Sequence, residues 1–493
     1  MPYMAKKLLI LIFTLSVTLL LGAFSVNAST YLPLDDEVYD ILSRLEAEGV
    51  IQSGLLTTRP LSYKELKRLI IEAQRNSINK TTFIKSLLRS LKERFKDETR
   101  DVKYIKPLYL LYSRYVYADS EIQALYYNND GDHYEKGSNL RIGFASRAEL
   151  EWLSFYINPE LKYSDAENNL IAKRFYGVMN FLGLELTLGK DSQWWGPGYH
   201  GAILLSNNPE PMKILRITNS QPVLLPGIFK YLGLCKFTFF ATRLDKERND
   251  ISEPYLWGMR LNFKPHPYIE MGFQRTALLG GKGRPEGFKT WWYSFIGKGE
   301  NLGGVEAGDQ RAGFDIKLTL PFKWQPLQLY GEAAGEDEAG GLPSKWAYLM
   351  GLYLPRILNF ERIGFRVEYA NTHVPGYPNV WYRHHIYHAG YTYKGRIIGH
   401  HIGTDSRDIF LELSYLIPEI GGKISFSYDI EEHNLSASIR EKKYEATSKV
   451  GIRLTKSVQL EALYNYGRIE NFGNIPGKEK KINTVTTMIK YNF

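Results

Sequence analysis

From Pro107 to Phe493 the hydrophobic pattern has a period of two, and this most constrains the fold. In the last segment Val485, Thr487, Ile489, Tyr491 and Phe493 fall on one face, while Thr484, Thr486, Met488, Lys490 and Asn492 fall on the other. Upstream, Ile424, Phe426, Tyr428 and Ile430 alternate with Lys423, Ser425, Ser427 and Asp429. Successive strand side chains point to opposite faces, so such runs make a sheet that is apolar on one side and polar on the other. A soluble sandwich and a membrane barrel both satisfy that pattern. The segments are about 10 residues long, the length of a tilted membrane strand. So much sheet can cross a bilayer only if it closes on itself, because open edges leave backbone groups unpaired. The expected fold class is therefore an all-β transmembrane barrel of about 18 antiparallel strands. Aromatic residues make up 14% of the chain, with 35 tyrosines, which suits interfacial girdles.

Strands are expected near 107–118, 140–150, 152–163, 171–179, 181–190, 211–219, 228–243, 254–263, 267–275, 305–320, 325–335, 345–354, 360–370, 406–417, 420–431, 443–455, 457–470 and 480–493. An even number puts both ends of the barrel on one side, and connections then alternate. Residues 264–267, 321–326 and 455–457 make short turns on the periplasmic side. Residues 119–139, 191–210, 276–304, 371–405 and 431–442 make long loops on the outer side. Short turns within and long loops outside are the usual asymmetry of such barrels.

The N-terminus differs from the rest. Lys6 and Lys7 precede an apolar run from Leu8 to Leu21, followed by Val26, Asn27 and Ala28, the order of a secretory signal. Residues 1–28 are expected to be that signal, 29–103 a periplasmic helical segment, and 104–493 the barrel. Val38, Ile41, Leu42 and Leu45 have helical spacing, and so do Leu66, Leu69, Ile70 and Ala73 behind a Ser62/Glu65 capping box. Phe83, Ile84, Leu87, Leu88, Leu91 and Phe95 form a third stripe. Three such helices make a small bundle, expected at the periplasmic mouth with its apolar faces against one another and the barrel rim. The single cysteine, Cys235, excludes an intramolecular disulfide. The net charge of +9 is spread without basic runs, which argues against nucleic acid and leaves lipid head groups or an acidic glycan as partners.

Three loops carry the unusual residues. Residues 191–210 hold Trp194, Trp195, Tyr199 and His200; 276–304 hold "GGKGRPEG" with Trp291 and Trp292; 371–405 hold Trp381, Tyr382 and Arg383. Flat rings can cover sugar faces, and arginine forks onto the carboxylate of an acidic sugar, so these nine residues are the candidate glycan contacts. The same aromatics also suit girdles or packing within a plug. Six of the ten histidines lie between His373 and His401. His384 and His388 would share a helical face, but no glutamate stands as in zinc proteases, and no metal or cofactor is expected. The acidic "GEDE" at 335–338 reads as a solvated loop rather than a calcium site. "GGKGRP" lacks the phosphate-loop spacing, and no Gly-x-Ser-x-Gly elbow occurs, so no enzyme is expected.

The segment "LGKDSQWWGPGYHGAILLSNN" is similar to the Trp-Trp-Gly-Pro-Gly segment of the Wzi capsule-assembly family. "LYGEAAGEDEAG", "GFDIKL", "YKGRIIGHHIGTDSRD" and the helical start also resemble that family. The resemblance implies an eighteen-strand outer-membrane barrel with a small helical bundle near its periplasmic end. It implies a lectin-like, non-catalytic role: attaching exported capsular polysaccharide to the cell surface, in an occluded barrel that is expected to be monomeric. A channel for sugars or export and an outer-membrane hydrolase are the alternatives.

Overall fold

The computed structural model describes residues 27–96, 103–121, 125–297, 308–339 and 342–493. Almost all of the expected signal segment, residues 1–26, lies outside the described residues. The sheet is a closed antiparallel barrel. Its eighteen long strands are β1 Tyr104–Ala118, β2 Gly137–Leu150, β3 Leu153–Tyr163, β4 Asn168–Phe181, β5 Leu184–Asp191, β6 Met212–Asn219, β7 Leu234–Arg243, β8 Tyr255–His266, β9 Ile269–Leu279, β10 Asp309–Leu320, β11 Leu327–Ala339, β12 Leu342–Leu354, β13 Ile363–Asn371, β14 Ser406–Ile417, β15 Gly422–His433, β16 Glu441–Arg453, β17 Val458–Glu470 and β18 Glu479–Asn492. Each pairs with the next in sequence, and β18 closes on β1 from Leu110↔Asn492 to Ala118↔Thr484. Closure leaves no edge to be satisfied by water.

The period-two pattern becomes an inside and an outside. Ile424, Phe426, Phe273, Val485 and Ile489 are exposed on the outer surface, while Arg260, Asn262, Glu270, Asp315 and Lys317 are buried within the lumen. An apolar exterior with a polar interior suits a lipid surround. The loop parity also holds. Turns 151–152, 182–183, 267–268 and 454–457 lie at one end; loops 192–211 and 372–405 and the described parts of 119–136 and 280–308 lie at the other.

Among the described residues three helices precede the barrel: α1 Val38–Ala47, α2 Tyr63–Asn76 and α3 Thr82–Arg94. The Ser62 side chain accepts the Glu65 amide, and Thr81 caps α3 through the Ile84 amide. Their stripes meet in a core of Leu42, Leu45, Leu66, Leu69, Ile84, Leu87 and Leu91. The bundle sits at the short-turn end, where Arg44 donates to the Glu361 carbonyl and Arg453 to Ser90. It goes further in than the rim. Glu46 on α1 takes Lys264 at 2.8 Å and Lys317 at 2.7 Å from the barrel wall. Thr57 donates to Glu270 at 2.7 Å, and Arg260 forks onto Asp315 at 2.6 and 3.0 Å. The segment is thus a plug whose polar groups complete the charges of the wall.

Three expectations need correction. Residues 228–243 are not one strand: Gly227–Leu232 form a 3-10 turn before β7. Gly233 there has φ +70°, and a Cβ would stand 1.8 Å from the Lys264 carbonyl oxygen, so the chain turns before it can pair. The expected loop 276–304 is not all loop: α4, Phe288–Ile296, lies within it, between β9 and β10. The "GEDE" run is not a solvated loop. It ends β11, where Glu336 is buried and paired with Arg311.

Removing a buried charge leaves its partners uncompensated, at about 3–5 kcal/mol. Glu46→Ala takes the only carboxylate partner from buried Lys264, among the described residues, and leaves Lys317 with Glu270 alone. Amide exchange over residues 38–61 should rise on the order of a hundred- to a thousandfold while β14–β18 stay protected. Unchanged exchange in the plug would show that this pair does not hold it.

Candidate functional site

Loop 192–211 does not stand outside the barrel; it folds down into the lumen. Trp194 and Trp195 form a two-residue ladder with Arg59 and Thr58 of the plug. The Gly196 amide adds a bond of 2.9 Å to the Thr57 carbonyl. The Gly-Pro-Gly turn then needs its glycines for close approach. A Cβ on Gly198 would lie 2.0 Å from the Gly201 carbonyl oxygen, and one on Gly201 would lie 2.1 Å from His400 Nε2. The turn is held by one carboxylate of the wall. Glu368 on β13 accepts the amides of Tyr199, His200 and Gly201 at 2.8, 3.0 and 3.1 Å, and the Tyr330 hydroxyl at 2.9 Å. Glu332 on β11 accepts the Ile203 amide at 3.2 Å.

Loop 372–405 closes over the same region. Trp381 donates to the Lys345 carbonyl at 2.8 Å, and the Tyr382 hydroxyl donates to the Ile203 carbonyl at 2.6 Å. Trp195, Ile203, Leu204, Leu205, Trp381, Tyr382, Tyr387 and Tyr391 make one apolar cluster inside the barrel. Two loops and the plug therefore share a core.

At the loop end a cavity of about 590 Å³ remains, walled by Tyr127, His133, Lys394, Arg396, His401 and Lys443 among others. Lys394 and Arg396 reach it from a hairpin in which Thr392–Tyr393 pair with Arg396–Ile397. The pieces are tied together. Arg396 donates to the Tyr126 and Asp132 carbonyls at 2.5 and 2.9 Å, and Lys394 pairs with Glu210 at 2.8 Å. Burial raises the Glu210 pKa, but Lys394 and Lys190 outweigh it and hold the carboxyl below its ordinary range. Cations, carboxylates and a tyrosine in one solvent-reaching hollow can hydrogen-bond hydroxyls and cover a sugar face.

The nine residues singled out from the sequence fall into four places. Trp195, Trp381, Tyr382 and His200 are buried in the loop core. Trp194 and Tyr199 line a smaller cavity of about 220 Å³ deep beside the plug, with Asp40, Glu412 and Lys423. Trp291 and Trp292 ride on α4, which lies against the outward side of β8. Trp257 donates to Ser294 at 3.0 Å, and Trp291 meets Tyr255 edge-on at 5.3 Å. Phe288 and Trp292 remain exposed there. Arg383 is exposed on loop 372–405. The structure does not bring the nine into one surface. The cavity residues Tyr127, His133, Lys394 and Arg396 were missed; the sequence hint for two of them was Lys394-Gly395, a hairpin turn between Tyr393 and Arg396.

Beneath the cavity floor lies a second group. His200, His400 and His401 converge on Asp408, with Asp429, Glu431, Lys443 and Glu445 beside it. Burial takes His401 down to about 4 and His400 well below the ordinary imidazole range, so both rings are uncharged at neutral pH. For His200, burial is outweighed by Asp429, and its pKa rises.

Glu368→Gln would turn an amide –NH2 either toward the His200 and Gly201 amides at the Oε1 position or toward the Tyr199 amide and Tyr330 hydroxyl at the Oε2 position. Each orphaned buried donor costs about 1–3 kcal/mol. Exchange of amides 195–205 should therefore rise ~10–100-fold with the strands unchanged. Full protection in the variant would contradict this role for Glu368.

A family description, capsule assembly protein Wzi, matches residues 115–484. A Klebsiella pneumoniae protein described as an uncharacterized 55.8 kDa protein in the cps region is 27% identical over 323 residues. That match covers 64% of this chain and 60% of the relative, so the chain spans less than two thirds of the relative's length. A solved Escherichia coli structure is described as Wzi, an outer membrane protein involved in group 1 capsule assembly and a carbohydrate-binding β-barrel. It aligns with a TM-score of 0.75 at 22% identity, over 94% of this chain and 100% of that one, which establishes the shared fold.

Proposed function

The chain belongs to the Wzi capsule assembly family, and on that footing we propose that it is a lectin-like, non-catalytic barrel of the outer membrane that attaches exported capsular polysaccharide to the cell surface. The observation that carries this reading is the hollow at the loop end, about 590 Å³ and walled by Tyr127, His133, Lys394 and Arg396, above a lumen packed by the plug and two loops. A polymer can be held there by a short stretch of sugars while its ends stay outside, which a deep enclosed pocket would not allow. The E. coli protein of the same fold is described as carbohydrate-binding, which supports the same reading.

Of the sequence candidates, Arg383 stays in the proposed contact set because it is exposed on the loop that supplies Lys394 and Arg396. Trp194, Trp195, Tyr199, His200, Trp381 and Tyr382 shape the loops from behind. Trp291 and Trp292 belong to the lipid-side surface. In this reading residues 1–28 are a removed signal, 29–103 the periplasmic plug, and 104–493 the barrel. The filled lumen argues against the channel alternative, since conduction needs a continuous polar path.

Purified full-length protein should retain the host's capsular polymer reversibly and leave its chain length unchanged. Replacing His133 and Lys394 together by alanine removes two polar contacts worth about 1 kcal/mol each, so affinity should fall on the order of tenfold or more. Shortened polymer would point to the hydrolase alternative, and undiminished retention would move the site away from the hollow.

A further inference from the structure

The histidine–carboxylate group under the loops has the composition and spacing of a cation site. His200 Nε2 stands 3.6 Å from Asp408 Oδ2 and 3.6 Å from Asp429 Oδ1. His401 Nε2 stands 4.0 Å from Asp408 Oδ2 and 3.4 Å from Glu431 Oε1. One ligand atom from each of His200, His401 and Asp408 lies within 4.8 Å of the other two. A tetrahedral ion with bonds of ~2.0–2.1 Å sets its ligand atoms about 3.4 Å apart. Side-chain movements on the order of an ångström would therefore seat one.

Two further observations point to a ligand. His200 Nε2, His401 Nε2, Asp408 Oδ1 and both Asp429 carboxylate oxygens are buried without a hydrogen-bond partner. Buried polar atoms are satisfied as a rule, so a cluster of such orphans around one point calls for an occupant. Charge asks for the same thing. Asp408, Asp429, Glu431 and Glu445 are buried together, and the one buried ammonium among them is Lys443, among the described residues. His433 at the rim, 2.8 Å from Glu431, and His200, 3.6 Å from Asp429, add two more basic groups to set against the four carboxylates. A divalent cation offsets the excess that these groups leave.

The rings are also held in place. His401 stacks on Tyr127 with centroids 4.0 Å apart and an interplanar angle of 11°, and His200 stacks on Phe410 at 3.9 Å and 14°. Fixed ring orientation is what supporting groups supply around a metal. His400 is set apart from the ligands. Its Nδ1 accepts the Ile402 amide at 3.4 Å, which puts the ring proton on Nε2, facing Asp408 at 3.9 Å.

We propose that His200, His401 and Asp408 bind one borderline first-row divalent cation, zinc being the reference ion. Imidazole with carboxylate suits such ions better than calcium or magnesium, which take all-oxygen shells. The ion would join loop 192–211 and loop 372–405 to β14, locking the floor of the hollow. This assignment does not depend on which polymer is bound.

The test is zinc binding by full-length protein purified through a chelator. The expected result is one zinc per chain, and for cobalt substitution the visible ligand-field absorption of a four-coordinate site. His401→Gln and Asp408→Asn should each weaken zinc on the order of a hundredfold. His385→Gln and His388→Gln, exposed on the same loop, should bind as the parent does. Heat-modifiable mobility on gels reports that each variant remains a folded barrel. Substoichiometric zinc in the parent protein, or binding that survives both His401→Gln and Asp408→Asn, would overturn the proposal.

Discussion

A charge turned into a closed barrel must find its partner there, and the rest of the structure follows from that requirement. The inner face carries Glu46's partners Lys264 and Lys317, together with Glu270, Asp315, Glu332 and Glu368. Without water each would be prohibitively costly to ionise. The plug answers part of the demand through Glu46 and Thr57, and the loop turn answers another through the amides at 199–201. The lumen is therefore filled because its wall is charged, and the wall keeps its charges because the lumen is filled. Neither the barrel nor the plug can be understood as a unit that merely carries the other.

That mutual dependence shapes the outer surface. Once loops 192–211 and 372–405 are drawn inward onto Trp195 and Ile203–Leu205, what remains at the loop end is a shallow hollow rather than a pore mouth. Its cations are fixed by the same contacts that close it: Arg396 is held to the Tyr126 and Asp132 carbonyls, and Lys394 to Glu210. Pre-set polar groups lose little freedom when a sugar arrives, which favours retention of a repeating polymer over tight capture of one residue. Family membership and this geometry both support the proposed reading, a holder of capsular polymer.

Much of the fold was legible because alternation is a local property. Val485 to Phe493 declare their faces within nine residues, and parity then sorts turns from loops. Ser62 and Glu65 announced a helix start in the same local way. The failures have a common cause. The α4 helix is set by Trp291 and Phe295 packing against Tyr255 and Trp257, a contact across more than thirty residues that no window along the chain contains. The "GEDE" run was read as solvated because its acid content was visible and Arg311, which pairs with Glu336, was not. Trp194 and Trp195 looked like a sugar platform because their ladder with Thr58 and Arg59 is a long-range pairing. His200 and His401 likewise meet only because two loops descend to the same point.

The account stands or falls on whether the protein holds polymer at the cell surface. Removing the gene from its capsulated host and measuring capsular polymer in the cell-bound and medium fractions tests this most directly. The account predicts that total polymer is unchanged while the cell-bound share falls and the medium share rises. An unaltered partition, or a fall in the total, would contradict it.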